Sequence, residues 1–317
     1  MNLCGKKILV TGAQGFVGTA VVASLKSRGV LDENLLLPSF GEYDLRTREA
    51  CEEVMAGVDV VIHLAGVTGG VTFHRAHPGS IFYDNLIIGV RLMEAARKAR
   101  LAEADGEAQA GVKKFLTAGS MAEYPATAPL PYKEETLWDG YPDLVHAPYA
   151  VAKTMLLAQA QAYRVQYGFN AIHLLLTSMY GPGEKDDFVI PSLIRRMVDA
   201  KRRGESFVEV WGTGKPTRDF LYVEDAAEAI VGAAERYDSP EPVNIGSGIE
   251  TPIHALATTI ARLVGFSGEV RFDPTKPDGA PRRAADTSRA RVFGFSPRTD
   301  LESGLRMTIA WHLQNRS

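Results

Sequence analysis

Residues 7–29, KILVTGAQGFVGTAVVASLKSRG, constrain what this chain can fold into more than any other stretch. The run KILV predicts a short buried strand, the glycines after it a tight turn, and the apolar residues from Phe16 onward an amphipathic helix ending near Gly29. In such a strand-turn-helix unit Gly12 permits the turn, Gly15 lets backbone approach a pyrophosphate and Gly18 allows close packing of helix on strand. The helix N-terminus, at Phe16 and Val17, then faces the anion. The spacing is G-x-x-G-x-x-G rather than G-x-G-x-x-G, but a strand before and a helix after are the context that gives a glycine turn this meaning. The expectation is an α/β chain with a Rossmann-type doubly wound parallel sheet that binds NAD or NADP.

The next segments extend that sheet. ENLLLPSFGEYDLRT holds a second strand, at whose end an acidic residue would grip an adenine ribose and a basic one a 2'-phosphate. Pro38, Ser39 and Phe40 are neither, so NAD and NADP both stay open. Asp44, with Leu45 beside it, is a candidate contact for the adenine, and a solvated turn carboxylate is an equal reading. VDVVIHLAGVTGG gives a third buried strand running into small residues, Leu64, Ala65 and Gly66, with room for a ribose and pyrophosphate. His63, between apolar neighbours, reads as a core residue. SIFYDNLIIGVRLMEAARKAR is a long amphipathic helix, and residues 101–111 read as a surface insertion after it. VKKFLTAGSMAEYP is a fourth strand that delivers Ser120, with Met121 next to it, to the carboxyl edge of the sheet, where ligands of doubly wound folds bind.

HAPYAVAKTMLLAQAQAYRVQYG then predicts a helix on which Tyr149 and Lys153, four apart, share one face. An ammonium beside a phenol favours the phenolate and makes the hydroxyl a usable acid or base. Alone, such a pair is as well explained by a solvated helix surface; the cofactor turn and the serine strand end give it chemical meaning.

Composition excludes other classes. The 317 residues are 45% hydrophobic and 23% charged, ordinary for a globular protein of one large or two modest domains. A net charge of -3 with dispersed Lys and Arg carries no footprint for nucleic acid. The apolar runs are too short to span a bilayer, and the N-terminus is unlike a signal peptide, so a cytoplasmic protein without a membrane partner is expected. Cys4 and Cys51 have no paired spacing, which indicates neither disulfide nor metal site.

MYGPG marks where the chain leaves the cofactor body. The expected division is 1–178 with 215–248 for a Rossmann domain, and 179–214 with 249–317 for a smaller α/β substrate domain. The latter carries arginines and an aromatic beside turns, suited to a diphosphate and a flat base.

Taken together, TGAQGFVG, HLAG, Ser120 and YAVAK resemble the extended short-chain dehydrogenase/reductase family, whose members act mostly on nucleotide sugars. IFYDN, MYGPG, FVIPSLIRR, VWGTGKPTRDFLYVEDAA and KPDGAPRR are similar to the branch of the GDP-fucose synthases, which are GDP-4-keto-6-deoxymannose epimerase/reductases. The resemblance implies a catalytic triad of Ser120, Tyr149 and Lys153, substrate contacts from Arg196, Trp211 and Arg218 with Lys276 in a matching loop, and a homodimer formed through paired helices. Two departures matter. That branch epimerises with a cysteine and a histidine where this chain has Ala122 and Phe188, neither of which carries a proton. Glu123, His146, Lys185 and Asp187 are the nearby candidates to replace them. Related dehydratases use an Asp-Glu pair where Met121 and Ala122 stand, and Ser178 replaces a frequent asparagine. The expectation is therefore reversible hydride transfer at C4 of a nucleotide-diphosphate sugar, without C3/C5 epimerisation. The alternatives are a 4-epimerase that retains NAD and a non-catalytic nucleotide-binding regulator.

Overall fold

The computed structural model describes residues 1–102, 111–276 and 278–315. Its strands are β1 (Ile8–Thr11), β2 (Leu35–Leu36), β3 (Val60–His63), β4 (Lys114–Ser120), β5 (Ala171–Leu176), β6 (Ser178–Tyr180), β7 (Phe207–Trp211), β8 (Thr217–Tyr222), β9 (Val243–Ile245), β10 (Glu250–Pro252), β11 (Glu269–Asp273) and β12 (Arg282–Arg283). Its helices are α1 (Phe16–Ser27), α2 (Arg48–Glu53), α3 (Val71–Ala76), α4 (Pro78–Ala102), α5 (Ala147–Tyr167), α6 (Val189–Arg203), α7 (Val223–Arg236), α8 (Ile253–Val264) and α9 (Leu301–Asn315).

Parallel strands covered on both faces need unbroken apolar runs. ILVT, VVIH and AIHLLL supply them, and all residues of β1, β3 and β5 are buried. These strands belong to a six-stranded sheet of order β2-β1-β3-β4-β5-β9, parallel throughout. Val21, Leu25 and Ile230 of α1 and α7 fill one face, and Ile88, Leu92 and Leu156 of α4 and α5 fill the other. The order reverses between β1 and β3, so the ligand crevice of such a sheet opens above their carboxyl ends.

A second core, with Ile194, Met197, Tyr222, Leu256 and Leu305, is enclosed by α6, α8 and α9. Here β8 pairs with β6, β10 and β12, while β7 pairs with β11. The strand pairing divides the segment 215–248, which was expected whole in the Rossmann body. β8 lies in the smaller sheet, and the chain rejoins the larger body only at α7. The reason is that β8 is covered on both sides: Leu221 packs into the large core, Phe220 and Tyr222 into the small one. Conversely Ala290, Phe293 and Phe295, from the segment expected in the substrate body, pack into the large core. Residues 103–110, the bulk of the expected insertion, lie outside the described residues. Among the described residues no helix is long and apolar enough to cross a membrane.

Candidate active site

Gly12 and Gly18 are fixed by space. Gly12 has φ +71°, and a Cβ on it would lie 2.8 Å from the Ala65 nitrogen at the end of β3. A Cβ on Gly18 would lie 2.0 Å from the Gly12 oxygen, so α1 can sit on its turn only without a side chain there. Gly15 is the N-cap of α1 and has no side-chain cap, and the first turn contains no acidic residue. The N–H groups of Phe16, Val17 and Gly18 therefore have no partner within the helix, an anion cradle above β1. Leu64 and Val17 pack their side chains on the core below, leaving backbone at the crevice. At its far wall, a Cβ on Gly66 would meet Asn85 Oδ1 at 2.7 Å and Lys153 Nζ at 3.3 Å. This bare, donor-lined trough fits a dinucleotide.

The residues expected at the adenine end have protein partners of their own. Asp44 is engaged by Arg46, whose Nε and Nη2 each lie 2.9 Å from its carboxylate oxygens. That hydrogen bonding holds the Asp44 carboxyl below its usual range. Leu45 turns its side chain into the core. Arg46 also stands 5.4 Å from the centre of the Phe40 ring.

The reacting end gathers residues from four elements. Lys153 is 2% exposed, and burial lowers its pKa from 10.5 to about 8. Its ammonium lies 5.8 Å from the centre of the Tyr149 ring. Burial, with the charge of Glu123, raises the Tyr149 phenol above its ordinary range. Ser120 ends β4 and caps the short turn Met121–Glu123: its Oγ accepts from the Ala122 N–H at 3.2 Å, which leaves the hydroxyl proton free to donate. Met121 is packed with Tyr124, Tyr132 and Leu157 in a buried cluster. His63 is buried with its Nδ1 2.8 Å from Thr11 Oγ1, and burial followed by the Lys153 charge pushes its pKa down to about 3, so it is a neutral core residue.

Sequence reasoning missed several participants. Asn85 is buried, donates to the carbonyls of Val67 and Ile81, and accepts from the Val67 N–H, fixing the loop against Lys153. The segment IFYDN was the signal for it. His74 is buried and meets Tyr149 edge-on at 5.7 Å between centroids and His146 at 5.0 Å. His146, Tyr149 and Lys153 follow at i, i+3 and i+7 on the same face of α5, the first of them at its N-cap. His146 Nδ1 is held 3.0 Å from Asp143 Oδ1. Of the four candidates for replacing the absent cysteine and histidine, His146 is the one on this face. Glu123 is turned inward and buried, Lys185 is exposed, and Asp187 accepts from the Gly70 N–H at 2.8 Å.

Beyond the triad, Arg196, Trp211 and Arg218 line one pocket of about 270 Å³ with Val189, Asp278 and Gly279. Trp211 is 65% exposed, a flat open face, and Lys276 Nζ lies 6.0 Å from its ring centre. Burial, then the charge of Arg283, lowers Arg218 to about 10. Arg283 lies opposite Arg218 in the β12–β8 pairing. Its neighbour Arg282 is tied to Glu250, and the two-residue period of a strand puts Arg283 on the other face, where its charge also acts on His74 and His146. Its charge thus acts both on Arg218 of the pocket and on the two histidines near Tyr149, and it was overlooked because RR reads as a single basic pair.

The sequence profile of the NAD dependent epimerase/dehydratase family matches residues 8–246. The chain belongs to that family. Within it, the chain is 38% identical to GDP-L-fucose synthase 1 of Arabidopsis thaliana over 98% of its own length and 94% of that protein. It is 32% identical to the GDP-L-fucose synthase of Escherichia coli over 98% of each. The structure of a GDP-mannoheptose C4 reductase from Campylobacter jejuni with NADP bound superposes with a TM-score of 0.86 at 29% identity, covering 99% of both chains. These similarities run over 98–99% of this epimerase/dehydratase chain.

Proposed function

We propose that the protein is an NAD(P)H-dependent 4-keto reductase of a GDP-linked sugar. The observation that supports this is that Lys153 Nζ lies 5.8 Å from the Tyr149 ring centre on α5 and Ser120 ends β4, while Ala122 and Phe188 supply no acid or base. A reduced nicotinamide held in the trough would supply hydride for C4. Tyr149 gives its proton to the carbonyl oxygen as C4 is reduced, so that ketone becomes alcohol. Lys153 favours the phenolate left behind, and Ser120 donates to the same oxygen to fix the carbonyl. Arg196, Arg218 and Lys276 would hold the diphosphate and Trp211 the base, with adenine-side contacts from the backbone near Asp44 and Leu45.

The protein is further proposed to be a cytoplasmic homodimer, paired through the outer faces of α4 and α5; light scattering after gel filtration would return a monomer mass if that is wrong. The reaction is tested with GDP-, UDP-, dTDP- and CDP-linked 4-keto sugars, NADH or NADPH, and product NMR in deuterated water. Stoichiometric consumption of the nicotinamide, with no deuterium at C3 or C5, is expected. Deuterium at either carbon would contradict reduction without epimerisation, and nicotinamide released only on denaturation, without net consumption, would mark a 4-epimerase.

A further inference from the structure

His146 and Asp143 stand at the start of α5, on the face that carries Tyr149 and Lys153, and the reaction above does not use them. Asp143 Oδ1 accepts from the Val145 N–H at 3.1 Å and lies 3.0 Å from His146 Nδ1. Against the effect of burial, the hydrogen bond from His146 holds the Asp143 carboxyl below its ordinary range, and its side chain is 43% exposed. It is therefore a carboxylate, which only accepts, so Nδ1 carries the hydrogen of the imidazole. Burial, then the charge of Arg283, lowers His146 from its ordinary 6.5. The ring is then uncharged at about pH 7, and Nε2 presents a lone pair.

No hydrogen bond among the described residues reaches that nitrogen. The one imidazole beside it does not supply one. His74 is buried, its Nε2 lies 3.3 Å from Thr68 Oγ1 and its Nδ1 has no partner, so the two histidines touch as rings and not through a hydrogen bond. His146 is thus held by Asp143 at one nitrogen and by His74 against its ring, with the other nitrogen unused and its side chain 21% exposed.

Its place decides what can use it. Residues three apart on a helix have Cβ atoms about 5–6 Å from each other, so His146 lies one turn from the phenol assigned to the C4 oxygen. On the other side the charges of Arg283 and Arg218 reach it, and Arg218 lines the nucleotide pocket. A sugar ring joins two such places, because C1 carries the diphosphate and C4 lies opposite. In a 4-keto-6-deoxy pyranose hydroxyls remain only at C2 and C3, and the C3 hydroxyl adjoins the reacting carbonyl.

We propose that His146, oriented by Asp143, is a specificity-determining residue that accepts a hydrogen bond from the C3 hydroxyl of the 4-keto sugar. The proposal rests on the reading of the protein as a reductase of GDP-linked 4-keto sugars, and it narrows that class to sugars that keep oxygen at C3. The contact moves no proton; it fixes the ring so that the carbonyl meets Tyr149. Because the imidazole is part-exposed, its nitrogen can bind water when the hydroxyl is missing, so the preference has the size of one neutral hydrogen bond.

The test is a cycle of two proteins and two ketones. GDP-4-keto-6-deoxymannose and its 3-deoxy counterpart are reduced with NADH or NADPH by the wild type and by His146→Ala, and kcat/KM is measured for each pair. The ratio of hydroxy to deoxy substrate is expected to fall about three- to tenfold in His146→Ala. Taking the ratio cancels both the different reactivity of the two ketones and any general loss of activity, so a histidine that only caps α5 leaves it unchanged. A folded His146→Ala protein with the wild-type ratio overturns the proposal. Should this variant not fold, His146→Phe refills the space beside His74 without offering an acceptor, and the same ratio decides. A wild type that reduces neither ketone defeats the underlying reading, whereas reduction of both with an unchanged ratio in the variant defeats the role of His146 alone.

Discussion

Lys153 shows what the site costs the fold. The unfolded lysine binds its proton up to pH 10.5, the folded one only to about 8. The unfolded state thus holds more protons between these values, and stability rises as pH goes from 8 to 10.5. Below pH 8 the full penalty applies, about 3 kcal/mol at 1.36 kcal/mol per pKa unit. Tyr149 works the other way above its ordinary pKa of about 10, because its folded phenol resists ionisation. Lys153→Met should therefore melt higher than the wild-type apoprotein at pH 7 while losing catalysis, and the gap should narrow toward pH 9; a lower melting temperature at pH 7 contradicts it. Tyr149→Phe should lower kcat by about 10² to 10⁴ with little change in substrate KM, as measured by nicotinamide absorbance. The pair itself was legible, since four-residue spacing on a helix dictates a shared face. Glu123 and His173, whose side chains meet 3.1 Å apart in the interior, were not, because 50 residues separate them and their relation exists only across β4 and β5. Asp44 was readable as a turn residue but not as the partner of Arg46.

At the scale of elements, the turn before α1 was the most legible feature because its glycines answer to local space. A Gly18→Ala protein must push α1 from its turn, since the new carbon would meet the Gly12 backbone at 2.0 Å. The expected result is a loss of about 1–3 kcal/mol in stability, typical of overpacking, together with NADPH binding weakened at least as strongly as by loss of one anion-facing N–H group. Chemical denaturation and quenching of protein fluorescence by NADPH read the two effects; an unchanged affinity would remove the turn from the cofactor site. β8 was less legible. TRDFLY reads as a buried strand, but burial alone does not say which core receives it. Only the pairing with β6, β10 and β12 shows that Leu221 faces one core while Phe220 and Tyr222 face the other.

On the proposed reading, the whole molecule places binding and chemistry on different bodies. The triad stands on β4 and α5, while the pocket with Arg196 and Trp211 stands on α6 and β7. β8 joins them. It carries Arg218 at the pocket, and its Asp219 accepts from the Ser247 and Gly248 N–H groups just past β9 of the large sheet. On that reading, a diphosphate gripped there would be held at a fixed distance from Tyr149, and the reacting carbon would be positioned by contacts remote from it. Arg196 and Arg218 are both lowered by burial, which outweighs the opposing charges of Glu209 and Asp278. An incoming diphosphate would, on the same reading, add a stronger anion there. A charged hydrogen bond is worth about 1.5–3 kcal/mol, so Arg196→Ala should raise the KM for a GDP-linked 4-keto sugar roughly tenfold to a hundredfold while NADPH affinity stays near wild type. Arg218 also donates to the carbonyls of Thr217 and Ala280, so Arg218→Ala should add a drop in melting temperature to the same KM effect. Calorimetric titration with GDP separates the outcomes. If GDP binds Arg196→Ala as tightly as the wild type, the pocket between α6 and β7 is not where the nucleotide diphosphate is held.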